Sequence, residues 1–115
     1  MSDFLLLYRL PADSPDMPAS PQRMQERLER WRAWFGDLEA KGHLRALGHP
    51  LEMGGAVVKD GGATVHDGPY AESKDILIGY SILQAEDLIG ARALASGCPV
   101  LLYGGMVEVR PIRQM

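Results

Sequence analysis

The hydrophobic positions at the start of the chain predict a strand followed by an amphipathic helix. Phe4 to Tyr8 is apolar at every position, which is typical of a central strand covered on both faces. Residues 11 to 20 are rich in proline and predict a loop. After the loop, apolar side chains recur at spacings of four and three and form one stripe of a helix: Met24, Leu28, Trp31, Phe35 and Leu38.

Capping residues mark both ends of this predicted helix. Ser20 is a good N-cap and Pro21 a good first helical residue. Gly42 can take the left-handed conformation that ends many helices. The residues from Leu44 to Leu51 then predict a second strand.

Two short β-prone runs predict a hairpin in the middle of the chain. Ala56 to Val58 and Ala63 to Val65 flank the sequence Lys59-Asp60-Gly61-Gly62. Asp-Gly between such runs is a strong hairpin signal. The hairpin leads into Asp67-Gly68-Pro69, where each residue type favours a turn, so we expect a rigid corner at this point.

The rest of the chain predicts a strand, a helix and a last strand. Ile76 to Leu83 alternates so that one face of the strand carries Ile76, Ile78, Tyr80 and Ile82. A helix is predicted from about Ala85 to Ser96, with Gly97 as its stop. In the last strand, Met106 to Ile112, valines alternate with Glu108 and Arg110. We expect these two charged residues to share a face and to pair if that face is covered.

This order of elements predicts an α+β fold, a ferredoxin-like split βαβ sandwich with an inserted β-hairpin, formed by residues 1–115 as a single domain. Two helices cover only one face of such a sheet. Phe4 to Tyr8 and Ile76 to Leu83 are largely apolar on both faces, so the second face needs a cover. The simplest cover is a second copy of the chain, which predicts a homodimer with binding sites near the rim between the two sheets.

Composition and charge narrow the expected partners. The formal net charge is −3 and the chain has no run of lysine or arginine, so direct nucleic-acid binding is not expected. The first apolar run is too short for a signal sequence or a membrane span. The single cysteine, Cys98, fits a reducing compartment, and we expect a cytoplasmic protein without a membrane partner. The spacing of the three histidines and the cysteine predicts no metal site.

The corner after the hairpin concentrates polar groups and gives the candidate catalytic residues. His66 and Asp67 are adjacent, and a histidine oriented by a carboxylate can act as a general base. Neighbours in extended chain point to opposite faces, so His66 as a rim histidine and Asp67 as a turn-former are the competing interpretations. Glu72 and Lys74 follow as candidates to bind a polar ligand, against a reading as two exposed charges.

Aromatic residues supply the candidate lining of a small-molecule site. Tyr70 and Tyr80 can present an apolar ring with a polar tip, as ligand sites often do. Trp31 lies on the apolar stripe of the first predicted helix and is a candidate for ligand contact or for the core. Tyr8 has the same two interpretations.

Several separated segments resemble one family. They are Thr64-Val65, the stretch from Asp67 to Lys74, Gly79-Tyr80, Cys98-Pro99 and the stretch from Val107 to Ile112. Together they look like the YCII-related family, and specifically its subgroup named for an Asp-Gly-Pro-Phe motif, with Tyr70 in place of the phenylalanine. The resemblance implies a dimeric ferredoxin-like α/β barrel. We expect no cofactor.

The resemblance implies little about activity. Some relatives in the wider family are small lyases that use a histidine on the first helix together with an acidic residue. Here Trp31 stands about where those relatives have the histidine, and Cys98-Pro99 stands where they have Asp-Pro. Members of the subgroup are also found beside or fused to sigma-factor-like regulators, which implies a regulatory role as one reading.

Two functions from different classes follow. In the first, a homodimeric domain binds a small molecule or a partner protein at the cleft between the sheets. In the alternative, a cofactor-free lyase- or isomerase-like enzyme acts on a small substrate, for instance an aromatic one, with His66 and Asp67 in proton transfer. We favour the first, because the relatives' histidine has no counterpart on the first helix.

Overall fold

The computed structural model describes residues 1–13, 20–52, 54–68 and 74–115. Within these residues the chain forms six strands and two α-helices. In chain order these are β1 Ser2–Pro11, α1 Pro21–Ala40, β2 Leu44–Ala46, β3 Ala56–Lys59, β4 Thr64–Asp67, β5 Asp75–Ala85, α2 Leu88–Ala95 and β6 Met106–Pro111. A short 3₁₀ helix, Pro99–Tyr103, joins α2 to β6.

The main sheet has the strand order β2-β5-β1-β6 and is antiparallel throughout. Strand β1 is central, as its uniformly apolar sequence predicts, and pairs with β5 on one side and β6 on the other. The predicted α+β fold is confirmed, and the element order and antiparallel sheet are consistent with a ferredoxin-like arrangement. The sheet of the described chain ends at β2 and β6 and does not close, so the dimeric barrel stays a prediction.

The core lies between one face of this sheet and the helices. Alternate residues of β1 are buried, and they pack with Leu83 of β5, Leu38 of α1 and Val100 of the 3₁₀ helix. Ala91 and Ala95 of α2 are buried against the sheet as well. Small side chains allow α2 to approach the sheet closely, which explains why this helix contributes alanines to the core.

Capping residues lie at the ends of the helices. Ser20 accepts a hydrogen bond from the backbone N–H of Arg23 at 3.2 Å, and Gly42 follows α1 with a φ of +77°. Helix α2 begins later than predicted, because Ala85 is the last residue of β5. Its N-cap is Asp87, whose Oδ1 accepts a hydrogen bond from Gly90 N at 2.8 Å.

Strand β2 is shorter than the predicted strand from Leu44 to Leu51 and ends at Ala46. The chain then turns at Gly48, which has a φ of +72°. Residues 47–51 stay attached to β5 through three hydrogen bonds: Ser81 Oγ to Leu47 O (2.7 Å), Tyr80 N to His49 O (3.3 Å) and Leu51 N to Ile78 O (2.9 Å). The predicted segment therefore runs along β5 but as an irregular edge.

A bulge in β5 changes the predicted alternation. The register between β1 and β5 shifts where Gly79 pairs with Tyr8 and Leu77 with Arg9. Ile78 packs against the core on the helix side of the sheet. Only the part after the bulge follows the prediction, because one extra residue reverses the faces of the residues before it.

The predicted hairpin is confirmed as a separate two-stranded sheet of β3 and β4. Its turn uses positive φ at Asp60, Gly61 and Gly62. The residues of both strands are exposed except for Val57 and Thr64, which are half-buried. Gly68 ends the hairpin with a φ of +88°, as a turn after Asp67 requires.

The face of the main sheet that points away from the helices has an apolar centre. Leu5 and Leu7 of β1 pair with Ile82 and Tyr80 of β5, and all four are half-buried. On the β6 side of the same face, Glu108 accepts from Arg9 at 3.4 Å and from Arg110 at 3.2 Å. We call this surface, formed by Leu5, Leu7, Arg9, Leu77, Tyr80, Ile82, Glu108 and Arg110, the open sheet face. No described helix has the length and apolar character needed to cross a membrane.

Candidate functional site

A cavity of about 810 Å³ lies between α1 and the sheet. We call it the helix–sheet cavity. Most of its surface is apolar, and large side chains form it: Tyr8, Leu28, Trp31, Phe35, Leu44, Leu47, Ile78 and Tyr80. Gly36 of α1 lies in the cavity wall, and a Cβ built there meets no atom within 4 Å. The volume is in the range of pockets that hold small molecules in other proteins.

Aromatic rings form the wall between the cavity and the core. Trp31 packs edge-on against Tyr8, with ring centroids 4.8 Å apart, and stacks on Phe35 at 5.6 Å. Trp34 packs against the rings of Tyr8, Trp31 and Phe35. Rings packed in this way hold each other in place, so they offer a rigid apolar surface to a ligand.

Residues 47–50 form the opposite wall and depend on two glycines. A Cβ at Gly48 would lie 1.8 Å from the backbone oxygen of Tyr80, and a Cβ at Gly79 would lie 3.1 Å from that of His49. Only glycine fits at position 48, whereas a Cβ at position 79 would require the backbone near His49 to shift by a few tenths of an ångström. Ser81, which is fully buried, secures the same wall through its hydrogen bond to Leu47 O.

Tyr8 supplies a buried hydroxyl at the base of the cavity. Its side chain is 4% exposed and its Oη has no hydrogen-bond partner among the described residues. Burial raises the pKa of the Tyr8 phenol well above its ordinary value, and the nearby Ser81 lowers that pKa only in part. Ser81 directs its own hydroxyl proton to Leu47 O. The Ser81 oxygen stays available as an acceptor near the phenol, which lowers the pKa of Tyr8 in part. Tyr8 is therefore a neutral phenol whose Oη forms no well-aligned hydrogen bond within the described chain.

The mouth of the cavity carries mixed charge. Arg32 and Glu39 of α1 and Arg45 of β2 line it and are exposed, and exposed His49 lies beside Tyr80 with ring centroids 6.2 Å apart. Two guanidinium groups against one carboxylate leave a small positive excess. The cavity thus combines an apolar interior with a rim that favours a polar or anionic group.

The structure brings only some of the predicted site residues to this cavity. Trp31 lines it from the helix side of the sheet. Tyr80, which shares the open sheet face with Leu7, lines it at the edge where Gly48 and His49 lie. His66, Asp67 and Lys74 are exposed and do not line it. The predicted ligand residues Tyr70 and Glu72 lie outside the described residues.

The enzyme alternative depends on His66 and Asp67, and their surroundings offer it no support. Both are in β4, where His66 pairs with Val57 and Asp67 with Ala56 across the hairpin. Both are exposed in the described chain. A role for these two residues in proton transfer stays a prediction.

Cys98 and His43, two other potentially reactive side chains, lie in surroundings that indicate a structural role. Cys98 is buried, and burial raises the pKa of its thiol to about 12, with the backbone N–H of Val100 acting in the opposite direction. A thiol with this pKa is a poor nucleophile at neutral pH. His43 is half-buried with Nδ1 3.0 Å from Gln84 O. No group of three or more potential metal-ligating side chains occurs within the described residues.

The sequence indicated two aromatic residues that line the cavity, but not the other residues that determine its shape. The apolar stripe predicts the position of Phe35 on the helix but not its place in a site, and no sequence pattern distinguishes Ser81. Gly48 and Gly79 carried the useful signal, since a glycine inside a strand pattern marks close approach of another backbone. For Gly79 that expectation is confirmed by His49 O.

The chain matches the family model described as the YCII-related domain over residues 8–115. The matched range includes both helices and every strand, with only the start of β1 outside it. No curated protein matches the chain significantly.

Proposed function

The chain belongs to the YCII-related family, and we propose that it works as a homodimeric domain that binds a small, largely apolar molecule. The helix–sheet cavity is the observation that carries this proposal. Its volume of about 810 Å³ and its aromatic wall suit a ligand with a ring or a short apolar body.

The polar groups around the cavity indicate how such a ligand is oriented. The apolar body packs on Trp31 and Phe35, and a polar or anionic end points to Arg32 and Arg45 at the rim. Neutral Tyr8 is available as a hydrogen-bond donor because no described residue accepts its proton. Phenols and small aromatic carboxylates are therefore the first compounds to test.

Filling the cavity from α1 tests this function directly. Gly36→Leu adds a side chain where a Cβ meets no atom within 4 Å, and leucine is a better helix former than glycine, so the fold should gain stability. In a thermal-shift screen of phenols and small carboxylates, we expect hits with the natural chain that disappear with Gly36→Leu. Gly36→Ala, with a much smaller side chain, serves as the matched control and should keep most of the binding.

Two results would reject the cavity as the binding site. One is a set of hits that bind Gly36→Leu as well as the natural chain. The other is the absence of any hit from a panel of several hundred phenols, carboxylates and apolar molecules, each tested at millimolar concentration.

The second half of the proposal is that another copy of the chain covers the open sheet face. Leu5, Leu7 and Ile82 leave an apolar patch there, and the helices lie on the other side of the sheet. The β3–β4 hairpin supports the same conclusion. An isolated two-stranded hairpin has little stability of its own, and the facing pair Val58 and Val65 is 62% and 59% exposed.

Sedimentation at micromolar concentration tests the dimer. We expect a dimer for the natural chain and a shift toward monomer for Leu7→Glu, because the new charge would be buried between the sheets. Ile89→Glu is the control, since Ile89 is a 72% exposed apolar residue on α2. A natural chain that sediments as a monomer, or a Leu7→Glu variant that stays as dimeric as the Ile89→Glu variant, would contradict the proposed interface.

We also assign the chain to the Asp-Gly-Pro-Phe subgroup, on the strength of Asp67-Gly68-Pro69-Tyr70. The positive φ of Gly68 supports a turn at this motif. Tyr70→Phe would restore the subgroup's usual residue, and we expect it to leave melting temperature and oligomeric state unchanged. A clear loss of either would indicate that the tyrosine has a role particular to this chain.

A further inference from the structure

The β3–β4 hairpin has an apolar face that is exposed in the described chain. Val58 and Val65 pair across the hairpin, so their side chains share one face, and Ala56 lies on that face as well. All three residues are exposed. We call this surface, formed by Ala56, Val58 and Val65, the valine face. Lys59, the next residue after Val58, lies on the other face of the hairpin.

The chain exposes more surface than a compact monomer of its mass. Its accessible surface is 7930 Å², whereas a folded monomer of 12.6 kDa ordinarily exposes about 6200 Å². The excess of about 1700 Å² per chain is larger than the roughly 800 Å² that one partner loses in a standard interface, and it lies in the range of obligate homodimers. The molecule measures 44 × 43 × 19 Å, so it is a thin slab with a broad side that a second copy can cover.

The valine face and the open sheet face are two apolar surfaces of the same chain that do not cover each other. The valine face is exposed, so it does not pack on the open sheet face of its own copy. In a dimer with two-fold symmetry each copy offers both surfaces to the other, and the same contact forms twice. A second copy of the chain is therefore the occupant that covers both surfaces at once.

The distribution of charge on the open sheet face selects its β5 side for this contact. On the β6 side the face carries the ion pairs of Glu108, and valines would remove water from these charges without offering a polar partner. On the β5 side the face consists of Leu77, Tyr80 and Ile82, which are half-buried. Apolar side chains of a hairpin pack favourably only on this second group.

We propose that the hairpin of each copy reaches over its partner and packs the valine face on the β5 side of the partner's open sheet face. Tyr80 belongs to that side and also lines the edge of the helix–sheet cavity, beside Gly48 and His49. The hairpin of one copy therefore covers this edge in the other copy and completes the wall of its cavity. The inference rests on the proposed homodimer and ligand cavity, and it adds which surfaces meet and what the second copy contributes to the site.

Disulfide formation between two different variants tests the contact directly. Val65→Cys is mixed under reducing conditions with Ile82→Cys or with Leu77→Cys, and each mixture is then oxidised. A disulfide requires Cα atoms within about 7 Å, so a covalent dimer with the mass of the mixed pair reports contact between the two copies. Lys59→Cys, from the other face of the hairpin, is the matched control. Cys98 is buried and is present in every mixture.

We expect a mixed disulfide for Val65→Cys with at least one of the two β5 variants, and none for Lys59→Cys with either. Sedimentation adds a second measurement. Val58→Glu and Lys59→Glu introduce the same charge at adjacent exposed positions on opposite faces of the hairpin. The dissociation constant of the dimer should be at least about tenfold higher for Val58→Glu than for Lys59→Glu.

The contribution of the second copy to the cavity is measured with the probe 1-anilinonaphthalene-8-sulfonate. Only the binding that Gly36→Leu abolishes is counted, because this part belongs to the helix–sheet cavity. We expect this binding to be at least about threefold weaker in Val58→Glu than in Lys59→Glu. Equal affinity in the two variants would overturn the role of the partner's hairpin in the cavity wall.

The outcomes separate this inference from the proposals on which it rests. If the natural chain sediments as a dimer, the absence of a mixed disulfide in both Val65→Cys mixtures, or equal dimer dissociation constants for Val58→Glu and Lys59→Glu, would overturn the hairpin contact and leave the homodimer standing. A natural chain that sediments as a monomer would reject the homodimer and this inference together. Probe binding that Gly36→Leu does not reduce would reject the ligand cavity, while the mixed disulfide still decides the hairpin contact.

Discussion

Two buried tyrosine hydroxyls form no hydrogen bond with the described residues of this protein. Tyr8 Oη and Tyr103 Oη are both buried without a partner in the described chain. An unpaired buried hydroxyl lowers stability by about 1–3 kcal/mol. Each is therefore unfavourable in the free protein, and Tyr8, which lines the helix–sheet cavity, can donate to a ligand that supplies an acceptor.

Replacing Tyr8 by phenylalanine should separate these two effects. Tyr8→Phe keeps the ring contact with Trp31 at 4.8 Å and removes the unpaired hydroxyl. We expect the free energy of unfolding, measured by denaturant titration, to rise by about 1 kcal/mol, while affinity for cavity ligands that carry an acceptor falls. A loss of stability instead would show that the hydroxyl already has a partner.

Gly48 is the residue on which the cavity wall depends most strictly. Gly48→Ala combines a left-handed φ of +72° with a Cβ 1.8 Å from Tyr80 O, so residues 47–50 must move away from β5. We expect a loss of about 3 kcal/mol or more, beyond the strain of the φ alone. Gly54→Ala is the control, because its Cβ meets no atom within 4 Å and its φ is not positive. Equal melting temperatures for the two variants would contradict the close packing of this wall.

The buried thiol of Cys98 should make the free energy of unfolding depend on pH above neutrality. Its pKa is about 12 in the folded chain against an ordinary value of 9.0, so the unfolded chain loses the proton first. The neutral thiol contributes stability that is fully present below pH 9 and is lost as the pH rises toward 12. Tyr8, whose pKa is also raised by burial, adds to the decline from about pH 10.

The measurement is the free energy of unfolding between pH 8 and pH 10.5 for the natural chain and for Cys98→Ala. We expect the natural chain to lose stability more steeply than the variant over this range. Parallel curves would mean that the thiol ionises equally in both states and is not in a buried environment.

At the scale of elements, α1 covers the core with its C-terminal end and forms one wall of the helix–sheet cavity with its middle. Leu38, near its C-terminal end, is 2% exposed, whereas Leu28 and Met24 toward its start are 49% and 59% exposed. The apolar stripe of α1 therefore packs on the sheet only toward the C-terminal end of the helix. Trp31 and Phe35, in the middle, are half-buried and form the cavity wall.

Alanine substitutions along this stripe should lower the free energy of unfolding more toward the C-terminal end of α1. Leu38→Ala removes a buried side chain and is expected to lower the free energy of unfolding by about 2–5 kcal/mol. Met24→Ala should change it by no more than about 0.5 kcal/mol in the described chain. Urea unfolding of both variants checks this, and a large loss for Met24→Ala would indicate that a partner covers the start of α1.

Much of this architecture could be predicted from the sequence, because local signals coincide with the elements. Ser20 and Gly42 mark the ends of α1, and Asp60-Gly61 marks the hairpin turn. Three features could not be predicted, namely the bulge near Ile78, the early end of β2 and the late start of α2. Each depends on pairing between distant residues, which sequence periodicity does not report.

The candidate site was predictable only in its aromatic residues. Two of the predicted ligand residues, Trp31 and Tyr80, line the helix–sheet cavity, and their contact with a ligand stays a prediction. His66 and Asp67 attracted attention by their adjacency, yet the hairpin carries them away from the lining of the cavity. Sequence neighbours share a turn, whereas a site is assembled from strands and helices that are far apart in the chain.

At the scale of the whole molecule, the two faces of the sheet have separate roles in the proposed function. The helix side carries the cavity and the open sheet face carries the patch for a second copy. The Arg9, Glu108 and Arg110 network borders that patch, and paired charges can enter an interface at lower cost than single ones. Binding of a ligand and assembly of the dimer can therefore be tested with separate variants.

Tryptophan fluorescence gives the most direct test of the central claim that the helix–sheet cavity binds a small apolar molecule. The chain has two tryptophans, Trp31 and Trp34, and of these Trp31 lines the cavity. In Trp34→Phe, titration with the aromatic probe 1-anilinonaphthalene-8-sulfonate should quench Trp31 saturably, with one probe per chain. The same titration of Trp34→Phe combined with Gly36→Leu should show no saturable quenching. Quenching of equal affinity in both proteins, or none in either, would contradict the claim.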